Sequence, residues 1–384
     1  MEQIAGDGVD LKQTVLVSAN SLWNILNFRT GLVRALSARG FSVVVAAPPS
    51  AQEMEQTKTG MDIRDMPMDR SGMNPFADGL LMLRYALLMR EVRPCAFLGF
   101  TIKPNIYGSL AARLAGLPSI PNVSGLGTAF IRGGLLGRFV TALYRIAFAS
   151  SHCVFFQNPD DRDLFLARKI IRPEKARLLP GSGIDLERFP PAAPLKSRDP
   201  TFLLIGRLLA DKGVREFVEA ARMTRLKFPG ARFQLLGGLD PGNPTAIAQP
   251  ELTQWIEQGV VEYLGPTDDV RPFIADADAV VLPSYREGLP RSLLEGGAMG
   301  RALIATDVPG CREIVKDGTS GLTCEVRNAA SLADAMARFA AMEVDQRQKL
   351  GEAARRKIES EYDERLVINA YLDMLMPLAG MPLR

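Results

Sequence analysis

Short apolar runs alternate with longer stretches of helical period, which predicts an α/β protein; the alternation is run through twice, which predicts two parallel-sheet domains. In the first half the runs mark strands at Thr14–Ala19, Phe41–Ala46, Cys95–Phe100, Ser119–Val123 and Cys153–Gln157. In the second they mark Thr201–Ile205, Arg232–Leu236, Val260–Leu264, Ala279–Leu282 and Ala302–Thr306, with helices at Asp211–Lys227 and Asp268–Asp276. Unbroken runs such as VVVAA and FLGF fit strands covered on both faces. Between the sets, FPPAAPLKSRDP (residues 189–200) interrupts both periods with four prolines and exposed charges, and reads as a linker. Domains are therefore expected at 1–188 and 201–363. A final helix, Glu364–Pro377, is expected to carry the closing segment 364–384 back onto the first domain.

The 384 residues exceed what one hydrophobic core comfortably organises. With 47% hydrophobic and 23% charged residues and no low-complexity tract, the composition is that of a folded protein. Cys95, Cys153, Cys311 and Cys324 show no C-x-x-C spacing, so neither a disulfide framework nor a zinc site is expected, and a reducing cytoplasm fits. The first 13 residues lack an apolar signal region and no run of 18 apolar residues follows, so the expectation is a chain that neither crosses a membrane nor is exported.

The net charge of +3 hides an asymmetry: residues 1–190 carry 22 Lys and Arg against 16 Asp and Glu, the remainder 24 against 27. The excess is concentrated from Arg84 to Ser150, where Arg84, Arg90, Arg93, Lys103, Arg113, Arg132, Arg138 and Arg145 meet one acid, Glu91. Within that region GLLMLRYALLMREVR and GGLLGRFVTALYRIAF space arginines among long apolar side chains. Such helices can lie on an anionic bilayer, although ordinary core-facing helices read the same way. A nucleic-acid partner is disfavoured, because few aromatics interleave with the cations and the net charge is small.

Candidate sites lie at strand ends, where open α/β sheets bind ligands. SANSLWNILNF, which contains Asn20, follows the first strand and has no G-x-G-x-x-G, so a dinucleotide site is not expected there. In IGRLLADKG a strand delivers Gly206 and Arg207, and Lys212 follows at a helix mouth. A planar guanidinium and a point-charge ammonium together suit a diphosphate, though a helix start with solvated cations is the plainer alternative. In PSYREGLPRSLLEGGAMGRALIATDVPGCREIV the loop SYREGL precedes Pro290, which stands where a first helical position is favoured. The amides around Gly288, Leu289, Pro290 and Arg291 then form a helix start fit for phosphate oxygens. Glu295, more than one turn in, adds nothing to phosphate binding; its fitting ligand is a sugar diol, most naturally a ribose. Glu287 precedes the helix and can face a transferred sugar.

Taken together, the cations after one strand, the pair Glu287 and Glu295 around a proline-started helix, and TDVPGCREIV resemble retaining glycosyltransferases of family four. The resemblance implies the GT-B fold, two Rossmann-like domains facing across a cleft, with the second binding a nucleotide sugar, expected to be a UDP-sugar, without metal or other cofactor. By residue it implies Arg207 and Lys212 on the donor phosphates, Glu287 near the hexose, Glu295 on the ribose, and the loop at Gly237 and Gly238 beside the base, flanked by Thr267 and Val270. NFRTGLVRALSARG, FTIKPNIYGSLAARLAG and NVSGLGTAF resemble a narrower branch that extends lipid-linked saccharides in bacteria. Its implied acceptor is a polyprenyl-diphosphate-linked saccharide at the inner face of the cell membrane, with acceptor contacts from Asn20, Lys103, Asn105, Ser124 and Gly125; Lys103 reads equally as a phosphate ligand or as a solvated loop lysine. Many relatives place a histidine after the strand matching Ser119–Val123; here that stretch reads NVSGLG, and the single histidine, His152, reads as structural. Retention in this family is thought to use front-face attack, the departing phosphate taking the acceptor proton, so the loss need not remove activity. Competing readings are a nucleotide-sugar epimerase, a glycogen synthase-type polymerase, and a non-catalytic sugar-nucleotide or lipid-binding protein.

Overall fold

The computed structural model describes residues 13–50, 53, 61–69, 74–126, 134–194 and 198–380. They divide into two compact units, one formed by the described parts of Met1–Phe156, Arg162–Leu179 and Val367–Arg384, the other by Gln157–Asp161 and Pro180–Leu366.

The first unit is built on seven strands, β1 (Thr14–Ser18), β2 (Ser42–Ala47), β3 (Asp62–Asp65), β4 (Ala96–Phe100), β5 (Ser119–Val123), β6 (Val154–Phe156) and β7 (Ala176–Leu178). They lie in the order β3-β2-β1-β4-β5-β6-β7, every pair parallel, with Val15 opposite both Val43 and Ala96. Strand order reverses between β1 and β4. Every residue of β4 and β5 is buried, as their apolar runs require. Helix Glu364–Leu378 turns Val367, Tyr371 and Leu375 into this unit's core, and the Asn122 amide donates to the Tyr371 hydroxyl at 3.0 Å.

Helix Pro75–Val92 starts under a side-chain cap: the Asn74 amide oxygen accepts from the backbone amides of Phe76 and Ala77 at 3.1 and 3.3 Å. It buries Leu81, Tyr85, Leu88 and Met89 and leaves Phe76, Leu80, Leu83 and Leu87 exposed along the opposite face, at i, i+4, i+7 and i+11. Helix Gly134–Phe148 exposes Phe139 and Ile146 among Arg138 and Arg145. Arg132 lies outside the described residues. No described helix is long and apolar enough to cross a membrane.

The second unit has six strands, β8 (Thr201–Ile205), β9 (Arg232–Leu236), β10 (Glu262–Gly265), β11 (Ala279–Leu282), β12 (Ala302–Thr306) and β13 (Gly321–Cys324), in the parallel order β10-β9-β8-β11-β12-β13. Order reverses between β8 and β11. Of the stretch read as a linker, Phe189 is buried in this unit and the Ala192 amide donates to the Met299 carbonyl at 3.0 Å.

Three strands escaped the sequence pattern, β3, β7 and β13, and a fourth, β10, begins two residues later than expected. All four are sheet edges. An edge strand is short and half solvated, so β3 (DIRD) and β7 (ARL) show no apolar run. Helix Val214–Lys227 starts later than expected because Ala210–Lys212 form a separate 3-10 turn. Helix Arg271–Asp276 likewise starts late, its first amide taken by the Asp269 carboxylate at 3.0 Å.

Candidate functional site

The second unit's reversal point gathers the sequence-read donor residues. Gly206, Arg207 and Lys212 follow β8; the loop from Pro283 to Pro290 follows β11; β8 and β11 are hydrogen-bonded neighbours. A crevice outside the carboxyl ends of strands at such a reversal is the ordinary ligand position of this architecture.

Lys212 closes the 3-10 turn, and Gly213 ends it in the left-handed conformation (φ 73°). A Cβ on Gly213 would lie 2.1 Å from the Pro283 carbonyl oxygen, so only glycine lets this turn rest on the end of β11. The Tyr285 amide donates to the Asp211 carbonyl at 2.9 Å, binding the two loops together. The result is an ion pair: Lys212 Nζ stands 2.5 Å from Glu287 Oε1, with both side chains mostly buried. Behind Glu287, Gly310 (φ 88°) has its Cα pressed against the Glu287 and Gly288 carbonyls, each 2.7 Å from where a Cβ would be. Cys311 is buried next to it; burial and the Glu287 charge push its thiol pKa well above the ordinary value. Arg207 stays largely exposed and donates to Asp240 at 2.7 Å.

Helix Arg291–Ala298 starts one residue later than the sequence suggests: Pro290 is the N-cap, with extended ψ of 122°, and provides no side-chain cap. Among the described residues no acceptor takes the amides of Gly288 and Leu289. Leu289 turns its side chain into the core, so its backbone is what it offers. Unpaired amides at a helix start are groups that can accept an anion. Glu295 sits one turn on, its carboxylate 3.2 Å from Arg291 and its side chain 12% exposed. Burial raises the Glu295 pKa, against the pull of Arg291. Arg291 also donates to the Gly183 carbonyl at 2.8 Å.

The β9 loop closes one side. The Gly206 amide donates to Leu236, Leu208 to Gly238 and Gly237 to Gly265, at 3.0, 3.0 and 2.9 Å, so the ends of β8, β9 and β10 are zipped together. Thr267 is exposed, its hydroxyl bonded to the Asp269 carbonyl at 3.0 Å, and Val270 packs partly into the core.

Sequence reasoning missed what holds the β11 loop from below. The Asn158 amide donates to the Gly288 carbonyl at 2.9 Å, and Arg286 is paired with Asp161, which is only 1% exposed. Burial raises the Asp161 pKa although Arg286 opposes it. Residues 157–161 are distant in sequence, and the polar NPDD gives no apolar signal. Tyr285 is a second miss: its hydroxyl donates to Glu216 at 2.7 Å and Arg327 lies over its ring at 4.5 Å.

In the first unit Asn20, Lys103, Ser124 and Gly125 follow β1, β4 and β5, neighbouring strands around that unit's reversal point. The Asn20 amide donates to the Thr101 hydroxyl at 3.1 Å. Asn105 is buried, and its side-chain amide donates to the Asn122 carbonyl at 2.7 Å, bracing the end of β5. His152 is exposed at the opposite edge of the sheet, where its amide donates to Ser119 at the start of β5. Among the described residues no cluster of His, Cys, Asp and Glu could hold a metal ion.

Residues 199–341 match the family model "Glycosyl transferases group 1", and residues 28–181 match "Glycosyl transferase 4-like domain". A Campylobacter jejuni protein named N,N'-diacetylbacillosaminyl-diphospho-undecaprenol alpha-1,3-N-acetylgalactosaminyltransferase is 29% identical over 91% of this chain and 95% of its own. An Escherichia coli UDP-Gal:alpha-D-GlcNAc-diphosphoundecaprenol alpha-1,3-galactosyltransferase is 26% identical over 62% of this chain and 64% of its own. Among solved structures, a glycosyltransferase from Rickettsia africae superposes with a TM-score of 0.75 at 19% identity, covering 96% of this chain and 99% of its own. Anabaena Alr3699/HepE in complex with UDP and glucose does so at 0.75 and 15% identity, covering 95% and 100%. Two family models in tandem, a relative matched nearly end to end, and two parallel-sheet units of the GT-B type make this chain a member of the group 1 and 4-like glycosyltransferases, a hexosyltransferase by family.

Proposed function

We propose that the chain transfers a hexose or N-acetylhexosamine, with retention, from a UDP-sugar to a polyprenyl-diphosphate-linked saccharide in bacterial surface polysaccharide or glycan assembly. The observation that carries the donor half is the convergence of Lys212, Glu287, the uncapped start of helix Arg291–Ala298 and Glu295 at one strand reversal. Arg207, Lys212 and the free amides take the diphosphate, Glu295 accepts from the ribose hydroxyls, and Glu287 faces the sugar. The C1–O bond to phosphate breaks as the C1–O bond to the acceptor forms on the same face, and the acceptor proton passes to the departing phosphate oxygen. Stabilising that leaving group is the protein's main contribution.

The acceptor half draws on the relatives, whose names give diphospho-undecaprenol-linked saccharides as acceptors. It also draws on the exposed face of helix Pro75–Val92: with Arg84 and Arg90 beside Phe76, Leu80, Leu83 and Leu87, it suits an anionic membrane surface at the cytoplasmic side. NMR of the product formed from UDP-N-acetylgalactosamine or UDP-galactose and a short-chain polyprenyl-diphosphate saccharide tests the reading. An α-configured new linkage is expected; a β linkage would refute retention.

A further inference from the structure

Asn158 is only 1% exposed, and both ends of its side-chain amide are engaged. Its Oδ1 accepts from the Asp161 backbone amide at 2.8 Å, which caps the start of helix Pro159–Ala167. That bond fixes which way the side-chain amide faces. Its Nδ2 is left to donate to Asp161 Oδ2 at 3.1 Å and to the Gly288 carbonyl at 2.9 Å. The other Asp161 oxygen is paired with Arg286, in the same loop as Gly288. A cap alone needs only the oxygen of Asn158; the bond to Gly288 uses its nitrogen for something else.

The Gly288 carbonyl belongs to a peptide unit whose other polar group is the Leu289 N–H. In a trans peptide the two point in opposite directions, so holding the carbonyl from below aims the N–H at the opposite side. Gly310 gives the same sense to the unit before it. The Glu287 and Gly288 carbonyl oxygens each lie 2.7 Å from where a Gly310 Cβ would be, so both carbonyls are turned toward Gly310. The amides of Gly288 and Leu289 then emerge together on the other side, two successive N–H groups in a concavity that suits an anion. Gly310 is a steric floor that limits how far the carbonyls sink. Asn158 adds the attraction that holds the Gly288–Leu289 plane in one orientation.

We propose that Asn158 is a positioning residue for the transfer reaction, acting through the Gly288 carbonyl to aim the Leu289 amide at the donor diphosphate. This rests on the diphosphate lying at the start of helix Arg291–Ala298, as proposed above. Preorganised amides cost no reorientation when charge develops on the leaving group, which is why a residue that touches no substrate can still tune this site.

Capping and aiming separate by substitution, because Asn, Asp and Ser cap a helix about equally well. Asn158→Ser keeps a capping oxygen but is a bond too short for the Gly288 carbonyl. Asn158→Asp keeps the cap and confronts that carbonyl with an oxygen, which draws the Leu289 N–H away from the diphosphate. Calorimetric titration of the full-length chain with UDP and with uridine tests the proposal. UDP affinity is expected to fall about tenfold in Asn158→Ser, the effect of losing the one hydrogen bond that holds the amide in place, and further in Asn158→Asp. Uridine carries no phosphate, so its affinity is expected to stay unchanged in both variants, which also reports that they are folded. Wild-type UDP affinity in Asn158→Ser would reduce Asn158 to a helix cap, and parallel loss of UDP and uridine affinity would make it a general support of the unit; either result overturns the proposal. A wild-type chain that binds UDP no better than uridine would instead remove the diphosphate from the helix start, and the donor site with it.

Discussion

Lys212 Nζ and Glu287 Oε1 stand 2.5 Å apart although 75 residues separate them in sequence. The pair links the β8 turn to the β11 loop, and under the proposed function a donor diphosphate would compete with Glu287 for the same ammonium. Lys212→Ala is therefore expected to lower kcat about 100- to 1,000-fold, the usual loss when one preorganised charge at a developing anion is removed. Glu287→Ala should lower transfer while leaving UDP binding intact, since it frees Lys212 for phosphate. Steady-state kinetics with UDP titration separate the two; loss of UDP affinity in Glu287→Ala would assign Glu287 to the nucleotide.

Glu295 gives a pH dependence with a defined sign. Burial raises its pKa, so the folded chain holds the proton to a higher pH than the unfolded one. Between the ordinary and the raised value the unfolded state binds fewer protons, and this group's contribution to stability falls as pH rises. Under the proposed ribose contact donor affinity would run the opposite way, because the hydroxyls would donate to the ionised carboxylate. Calorimetric titration with a UDP-sugar is expected to show affinity weakening as pH drops through the raised pKa. Glu295→Gln should bind more weakly and without that dependence; parallel pH curves for the two proteins would exclude Glu295 as the ribose ligand.

Asp161 is 1% exposed and held by Arg286. Removing the guanidinium strands a buried carboxylate, so Arg286→Ala is expected to cost about 3–5 kcal/mol, whereas the double change to Ala and Asp161→Asn recovers part of the loss. Chemical denaturation measures both. Equal losses in the single and double variants would mean the pair is not coupled.

Phe76 is 91% exposed at the head of an apolar face that also carries Leu83 and Leu87. Changing Phe76 and Leu83 to Ser should reduce sedimentation with anionic liposomes and leave UDP binding unchanged, and Arg138→Glu with Arg145→Glu should act in the same direction. Unaltered sedimentation in all four changes would remove the membrane from the proposed function.

Much of this was legible in the sequence because central strands carry long apolar runs. Nine of the ten expected strands are interior strands of the two sheets, and the residues read as donor ligands follow β8 and β11 at punctuated loops. Three of the four edge strands were not legible: DIRD at β3, for one, must satisfy solvent on one side and shows no period. The supports of the site were hidden for a different reason. Asn158 and Asp161 reach the Gly288 loop from 130 and 125 residues away, a separation no local pattern encodes. The Asn105 bond to the Asn122 carbonyl, which braces the end of β5, was likewise not legible from its place after a strand.

Calorimetric titration of the wild-type chain with UDP, GDP and ADP, repeated on Glu295→Ala and Lys212→Ala, bears most directly on the donor site. Saturable binding of UDP in preference to the other two, weakened in both variants, is the expected result; binding of none of the three, or UDP binding that neither substitution alters, would contradict it.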